Sequence, residues 1–311
     1  MRAKPTPHAA LLQGARFALT AFMVVLFLAA RPALAAADLL YGQGLLWKVE
    51  RVGAPPNYLF GTIHITDGRV LDLPPQVRAA FDGARSATFE VIMDDEVRLK
   101  MARAMVLSDG RTLDTILGPD LFRETAAAGA RYGFEPQLLK GFKPWALAMI
   151  FSVPQAELMR NATGDLPLDQ WLQAEAKRQG KPIYALESAE EQIALFNELS
   201  EADQVAMLES AIKENPKIEQ MFEEMTRRYL ARDIAAIYAQ LDEQSKTMNP
   251  EYVAMFLARF NETRNITMAE RMADRLRQGG AFVAVGALHL PGERGLVRIL
   301  EKQGYSVERV Y

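Results

Sequence analysis

Leu59-Phe60-Gly61-Thr62-Ile63-His64 and Val283-Ala284-Val285-Gly286-Ala287-Leu288-His289 decide how this chain is read. Each is a short apolar run that ends in Gly-x-x-His. The second run, Ala281-Phe282-Val283-Ala284-Val285, is apolar at every position, as a strand buried on both faces is. Both histidines therefore stand at the exit of a strand. The carboxyl ends of sheet strands are where α/β proteins gather ligand-binding residues. A glycine three residues earlier lets the backbone turn, or lets another group approach closely. Two imidazoles in that setting either ligate a metal or act as acid and base.

A divalent metal also wants a carboxylate. Glu90 interrupts the apolar strand Ser86-Ala87-Thr88-Phe89-Glu90-Val91-Ile92, where a charge is costly unless paired. His64, Glu90 and His289 are thus the candidate metal ligands, a two-His, one-carboxylate set that leaves positions open for water and substrate. The alternative is that each histidine bonds locally and Glu90 faces solvent on an edge strand. The chain has no cysteine, which excludes disulfides, thiolate metal sites and a cysteine nucleophile. Any metal site must use imidazole and carboxylate, a donor set for Mn, Co or Zn rather than a soft ion. The sequence contains no G-x-S-x-G elbow, Walker loop, G-x-G-x-x-G or H-E-x-x-H.

Working outward, Leu45–Val49 and Tyr58–Phe60 flank a Gly-Ala-Pro-Pro-Asn turn and read as a hairpin. Pro182–Leu186 and Tyr305–Tyr311 are further strands. Helical apolar spacing marks Val97–Leu107, Pro119–Ala130 and Pro167–Gln179, and Ser188-Ala189-Glu190-Glu191 is a capping box that starts a helix through Leu199. From there to Gln278 the chain reads as helix, with breaks near Asn215-Pro216 and Asn249-Pro250. Asp94-Asp95-Glu96 favours a helix start, and methionines at helical spacing, among them Met268 and Met272, are core filling. Asn161, Asn261 and Asn265 head N-x-T sequons. The expected fold class is α/β: a central mixed β-sheet flanked by helices, with a helical insertion at about 189–278.

The first 35 residues read as a signal peptide: basic Arg2, Lys4 and Arg16, an uncharged stretch from Phe17 to Ala30, then Ala33-Leu34-Ala35. Residues 36–311 then form a single domain. Cleavage would remove four basic residues and His8, moving the formal charge from −3 to −7 over the remaining 276 residues. An acidic exported protein, periplasmic or secreted, is a poor nucleic-acid binder. No later run is long enough for a membrane span.

The chain resembles the TraB/GumN family, which includes the TIKI metalloproteases. The resemblance lies in Leu59–His64, Thr88-Phe89-Glu90, Leu168-Asp169, Gly180-Lys181-Pro182, Leu186-Glu187-Ser188, Arg264-Asn265 with Met268, and Val283–Gly292. It implies a fold like that of the ChaN and erythromycin-esterase proteins. It also implies a metal-dependent hydrolase centred on His64, Glu90 and His289; in the TIKI branch the activity is peptide cleavage with Mn²⁺ or Co²⁺. Four further residues fit around such a centre. Glu187 either accepts a hydrogen bond from a ligand histidine or caps the next helix. Asp169 favours the dipole of its helix. Arg264 and Asn265 either bind a carboxylate or oxyanion or make a structural salt bridge. The expected substrate is a peptide or small molecule. Two alternatives stand beside the hydrolase: a non-catalytic haem- or metal-binding protein of the cell envelope, and a metal-independent esterase using histidine and glutamate.

Overall fold

The computed structural model describes residues 39–245 and 250–311, with side chains outside 242–253. The leader read as a signal peptide, and Asn249 of the expected Asn249-Pro250 break, lie outside the described residues. Six strands form one mixed sheet: β1 (Leu46–Glu50), β2 (Asn57–Thr62), β3 (Ser86–Phe89), β4 (Ile183–Ala185), β5 (Ala281–Gly286) and β6 (Ser306–Arg309), in the order β4-β3-β5-β2-β1-β6. β1 and β2 make the expected hairpin, with Leu46 opposite Phe60. β4, β3, β5 and β2 are mutually parallel, and β1 pairs antiparallel with both β2 and β6. The protein is an α/β fold.

Alternation along β5 supplies both faces of the core. Ala281, Val283 and Val285 pack with Leu59, Met268, Met272 and Leu276 beneath the Thr263–Gln278 helix, and with Val297 and Leu300 of the Leu296–Lys302 helix. Phe282 points the other way, edge-on to Phe81 of the Pro75–Gly83 helix at 5.2 Å between ring centres. Asn57 binds three backbone groups: its Nδ2 donates to Val49 O and Leu276 O, and its Oδ1 accepts from Ala281 N.

The described residues divide into two compact units. The sheet and every candidate site residue belong to 39–92, 166–188 and 224–311; helices fill 93–165 and 189–223. In the helical unit Trp145 stacks on Phe196, and the buried Asn215 amide donates to Tyr132 Oη and Phe151 O. Asp94 caps the Asp95–Ala104 helix by accepting from Val97 N, as its acidic start implies. The Pro144–Phe151 helix escapes the periodicity reading because all eight of its residues are buried, so it has no polar stripe. The helix expected at Pro119–Ala130 runs from Leu113 to Arg131, with Gly118 at φ 73° breaking its first turns. Among the described residues no helix is long and apolar enough to cross a membrane.

Candidate active site

Parallel pairing brings four strand ends to one edge of the sheet. Thr62 pairs with Gly286, and Phe89 pairs with both Ala284 and Ala185. The residues that leave those strands are His64 after β2, His289 after β5, Glu90 after β3 and Glu187 after β4. β3 ends at Phe89, so Glu90 does not interrupt a strand as expected; it occupies the first position beyond. β3 lies inside the sheet and Glu90 is buried, which removes the solvent-facing edge-strand alternative.

The two glycines of the Gly-x-x-His frames do different work. A Cβ on Gly61 would stand 2.9 Å from Ala287 Cα and 2.7 Å from Leu290 Cδ1, so Gly61 allows the two histidine-bearing segments to touch. A Cβ on Gly286 would stand 3.2 Å from Glu90 Oε1, 3.6 Å from His289 Cδ2 and 3.9 Å from His64 Nε2. Gly286 thus leaves room where the three candidate ligands converge, and its N–H donates to Glu90 Oε1 at 2.6 Å.

Arg264, in the first turn of the Thr263–Gln278 helix, holds the acidic side of the site. Its Nε donates to Glu187 Oε1, and one terminal nitrogen, Nη2, donates to both Glu187 Oε2 and Glu90 Oε2 at 2.6 Å. The other, Nη1, donates to Phe260 O and lies 3.2 Å from His289 Nε2. Glu187 is thus tied to the guanidinium. The histidine partners are Asp169 and Asn265: His64 Nδ1 lies 2.8 Å from Asp169 Oδ1, and His289 Nδ1 lies 2.6 Å from Asn265 Oδ1. The position of Asp169 in the first turn of the Leu168–Arg178 helix hid this role, because an acidic residue there already has a dipole reason to exist. Arg264 makes the intrachain salt bridge that stood as the alternative to binding a ligand carboxylate or oxyanion, with Glu90 and Glu187 as its partners. Burial raises the proton affinity of Glu90, but Arg264 and the two histidines override it and hold the carboxyl at about 2.

The two histidines are electrostatically unlike. Burial lowers His64, but the adjacent Asp169 outweighs it and raises the ring above its ordinary value. At His289 burial, reinforced by Arg264, lowers the ring to about 3. The 3.8 Å approach of its Nε2 to Glu90 Oε1 is therefore a contact of a neutral ring. Sequence reading missed two supporting tyrosines: Tyr229 Oη donates to Gly61 O at 2.8 Å and Tyr238 Oη to Leu288 O at 2.6 Å. A tyrosine in a helical run carries no signal that it ends on a distant carbonyl.

The donor chemistry fits a divalent cation. Nδ1 of each imidazole has an oxygen partner, so Nε2 is the nitrogen each ring would offer an ion, that of His289 lying 3.2 Å from Arg264 Nη1. At the site, three buried carboxyl groups, Glu90, Asp169 and Glu187, face one buried guanidinium. Among the described residues, however, no three His, Asp or Glu groups already form an ion cage, and Arg264 engages Glu90, Glu187 and His289 Nε2.

Comparison with known proteins gives one family. Metalloprotease TIKI2 of Danio rerio is 26% identical over 316 residues, covering 86% of this chain and 61% of that protein. The Metalloprotease TIKI homolog of Nematostella vectensis is 24% identical, covering 86% and 67%. Uncharacterized protein YbaP of Escherichia coli (strain K12) is 23% identical and is covered over 99% of its length. The chain spans about three fifths of the length of TIKI2. No solved structure gives a significant match. The TraB/PrgY/gumN family matches residues 45–309, a span that begins just before β1, ends with β6 and takes in both histidine frames, Glu90 and Arg264; the chain belongs to that family.

Proposed function

We propose that this protein is an exported, metal-dependent hydrolase that cleaves peptide bonds, with His64, Glu90 and His289 holding the ion. The observation that carries the reading is the convergence of two oriented imidazoles and one ionised carboxylate beside Gly286. The names of the TIKI relatives support the reaction class. A bound Mn, Co or Zn ion would polarise the scissile carbonyl and acidify a water molecule. The chain's own residues do the rest. Asp169 and Asn265 hold the rings in one orientation. Arg264 fixes the Glu90 and Glu187 carboxylates against each other, and Glu90, ionised near neutral pH, is able to accept a proton at Oε1. Burial of all seven groups limits competing water. Periplasmic or secreted location belongs to the same proposal and rests on the leader; amino-terminal sequencing of the protein recovered from the cell envelope tests it.

Turnover of a peptide library with and without chelator, in wild type, His64→Ala and His289→Ala, is the test. The expected result is chelator-sensitive cleavage that falls at least 100-fold in each variant, the loss typical when an essential acid–base group is removed. Equal activity in all three proteins would overturn it, as would stoichiometric haem with no hydrolysis. A second reading has its own observation: the Asp169 partnership favours a protonated His64, able to give a proton from Nε2, with Glu90 as base and no metal. Chelator-resistant ester cleavage that still needs His64 would decide for it.

A further inference from the structure

The hydrogen bonds around His289 run in one direction only. Arg264 is permanently charged and can only donate. Its Nη1 lies 3.2 Å from His289 Nε2, so that nitrogen must accept, and the single hydrogen of the neutral ring sits on Nδ1. Nδ1–H then donates to Asn265 Oδ1 at 2.6 Å. This orients the Asn265 amide: its Nδ2 donates to Asn261 Oδ1 at 3.0 Å and to Arg294 O at 2.8 Å. Asn261 is oriented in turn, and its Nδ2 donates at 2.9 Å to Leu288 O, the carbonyl of the residue before His289. Tyr238 Oη donates to the same oxygen, and burial raises that phenol, keeping it a donor.

We infer that Asn261 is a positioning residue for His289: with Asn265 it closes a circuit from the ring back to the ring's own backbone, fixing both the tautomer and the aim of Nε2.

Three features favour this over ordinary packing. Reversing the tautomer would set Nε2–H against the Arg264 donors and leave Nδ1 facing an acceptor oxygen. Asn261 stands on a single π-helical turn, Ala258–Glu262, set directly before the helix that carries Arg264 and Asn265; such turns cost helix hydrogen bonds and concentrate at functional sites. Asn261 and Asn265 are four residues apart, so both present their amides to the same neighbour. Their burial also answers the sequons they head: Asn265 is fully buried and Asn261 nearly so, which closes both to a glycan.

The inference rests on the reading that His289 does chemistry or binds an ion, but its test needs neither turnover nor metal. Chelator-treated protein labelled with ¹⁵N-histidine, its signals assigned by their loss in His289→Gln, reports the tautomer directly. Wild type is expected to show a pyrrole-type Nδ1 and a pyridine-type Nε2 at His289. In folded Asn261→Leu the two shifts should move toward each other, while His64 shifts hold. Unchanged His289 shifts in folded Asn261→Leu would overturn the inference. If the variant fails to fold, wild type still decides: an Nε2–H tautomer there overturns it. Loss of the tautomer change with intact hydrolysis would reject positioning alone, and no hydrolysis with the expected tautomer would reject only the proposed function.

Discussion

Arg264 uses all five of its N–H groups: Nε once, Nη1 and Nη2 twice each. A buried guanidinium between two carboxylates is poor evidence of net stability, because desolvation cancels much of the attraction. Its removal is a different matter, since Glu90 and Glu187 would remain buried without it. Arg264→Leu is expected to lower unfolding free energy by about 3–5 kcal/mol in urea titration. A loss below about 1 kcal/mol would mean that water already solvates those carboxylates. The same residue is a partner for Glu187 that the sequence did not indicate, since a ligand histidine or a helix cap was expected there. A carboxylate at a strand exit announces that it needs a cation or donor, while spacing along the chain does not say which.

At the scale of elements, β2 and β5 must lie close enough for the segments beyond them to touch. Gly61 is the point of contact, and Ala there would press on Ala287 and Leu290. Gly61→Ala should cost about 1–3 kcal/mol by overpacking. Gly83→Ala, at the end of the Pro75–Gly83 helix with open space around it, should be neutral or stabilising by up to about 1 kcal/mol. Thermal unfolding of the two variants checks the contrast, and equal effects would remove the close-approach argument. The strands were legible because β5 is apolar throughout and β1 and β2 bracket a turn. Their order was not, since pairing β2 with β5 joins residues more than 200 positions apart.

For the whole molecule, acid is the informative perturbation. His289 titrates at 6.5 when unfolded and at about 3 when buried, so the fold requires the neutral ring. The unfolded chain binds the proton first, so the His289 contribution to stability is complete above 6.5 and falls as pH drops from 6.5 toward 3. Glu90 adds a second loss lower down, as pH falls from 4.5 toward about 2. Chelator-treated His289→Gln should lose the upper part of this acid limb while keeping the lower. Denaturant midpoints measured from pH 7 to 3.5 would show it, and parallel curves for the two proteins would contradict the burial of a neutral ring.

What the sequence determined by itself was a set of candidate site residues and the strand exits that carry them. Missing cysteine limited the donors to imidazole and carboxylate, and strand exits located His64 and His289, because apolar runs and turn residues are local signals. Tertiary structure decided who partners whom. Asp169 belongs to His64, Asn265 to His289, and Arg264 to Glu90 and Glu187. Those choices depend on strand order and on which helix face meets which strand end. Both follow from burial of the whole apolar surface, and no short stretch of sequence carries that information.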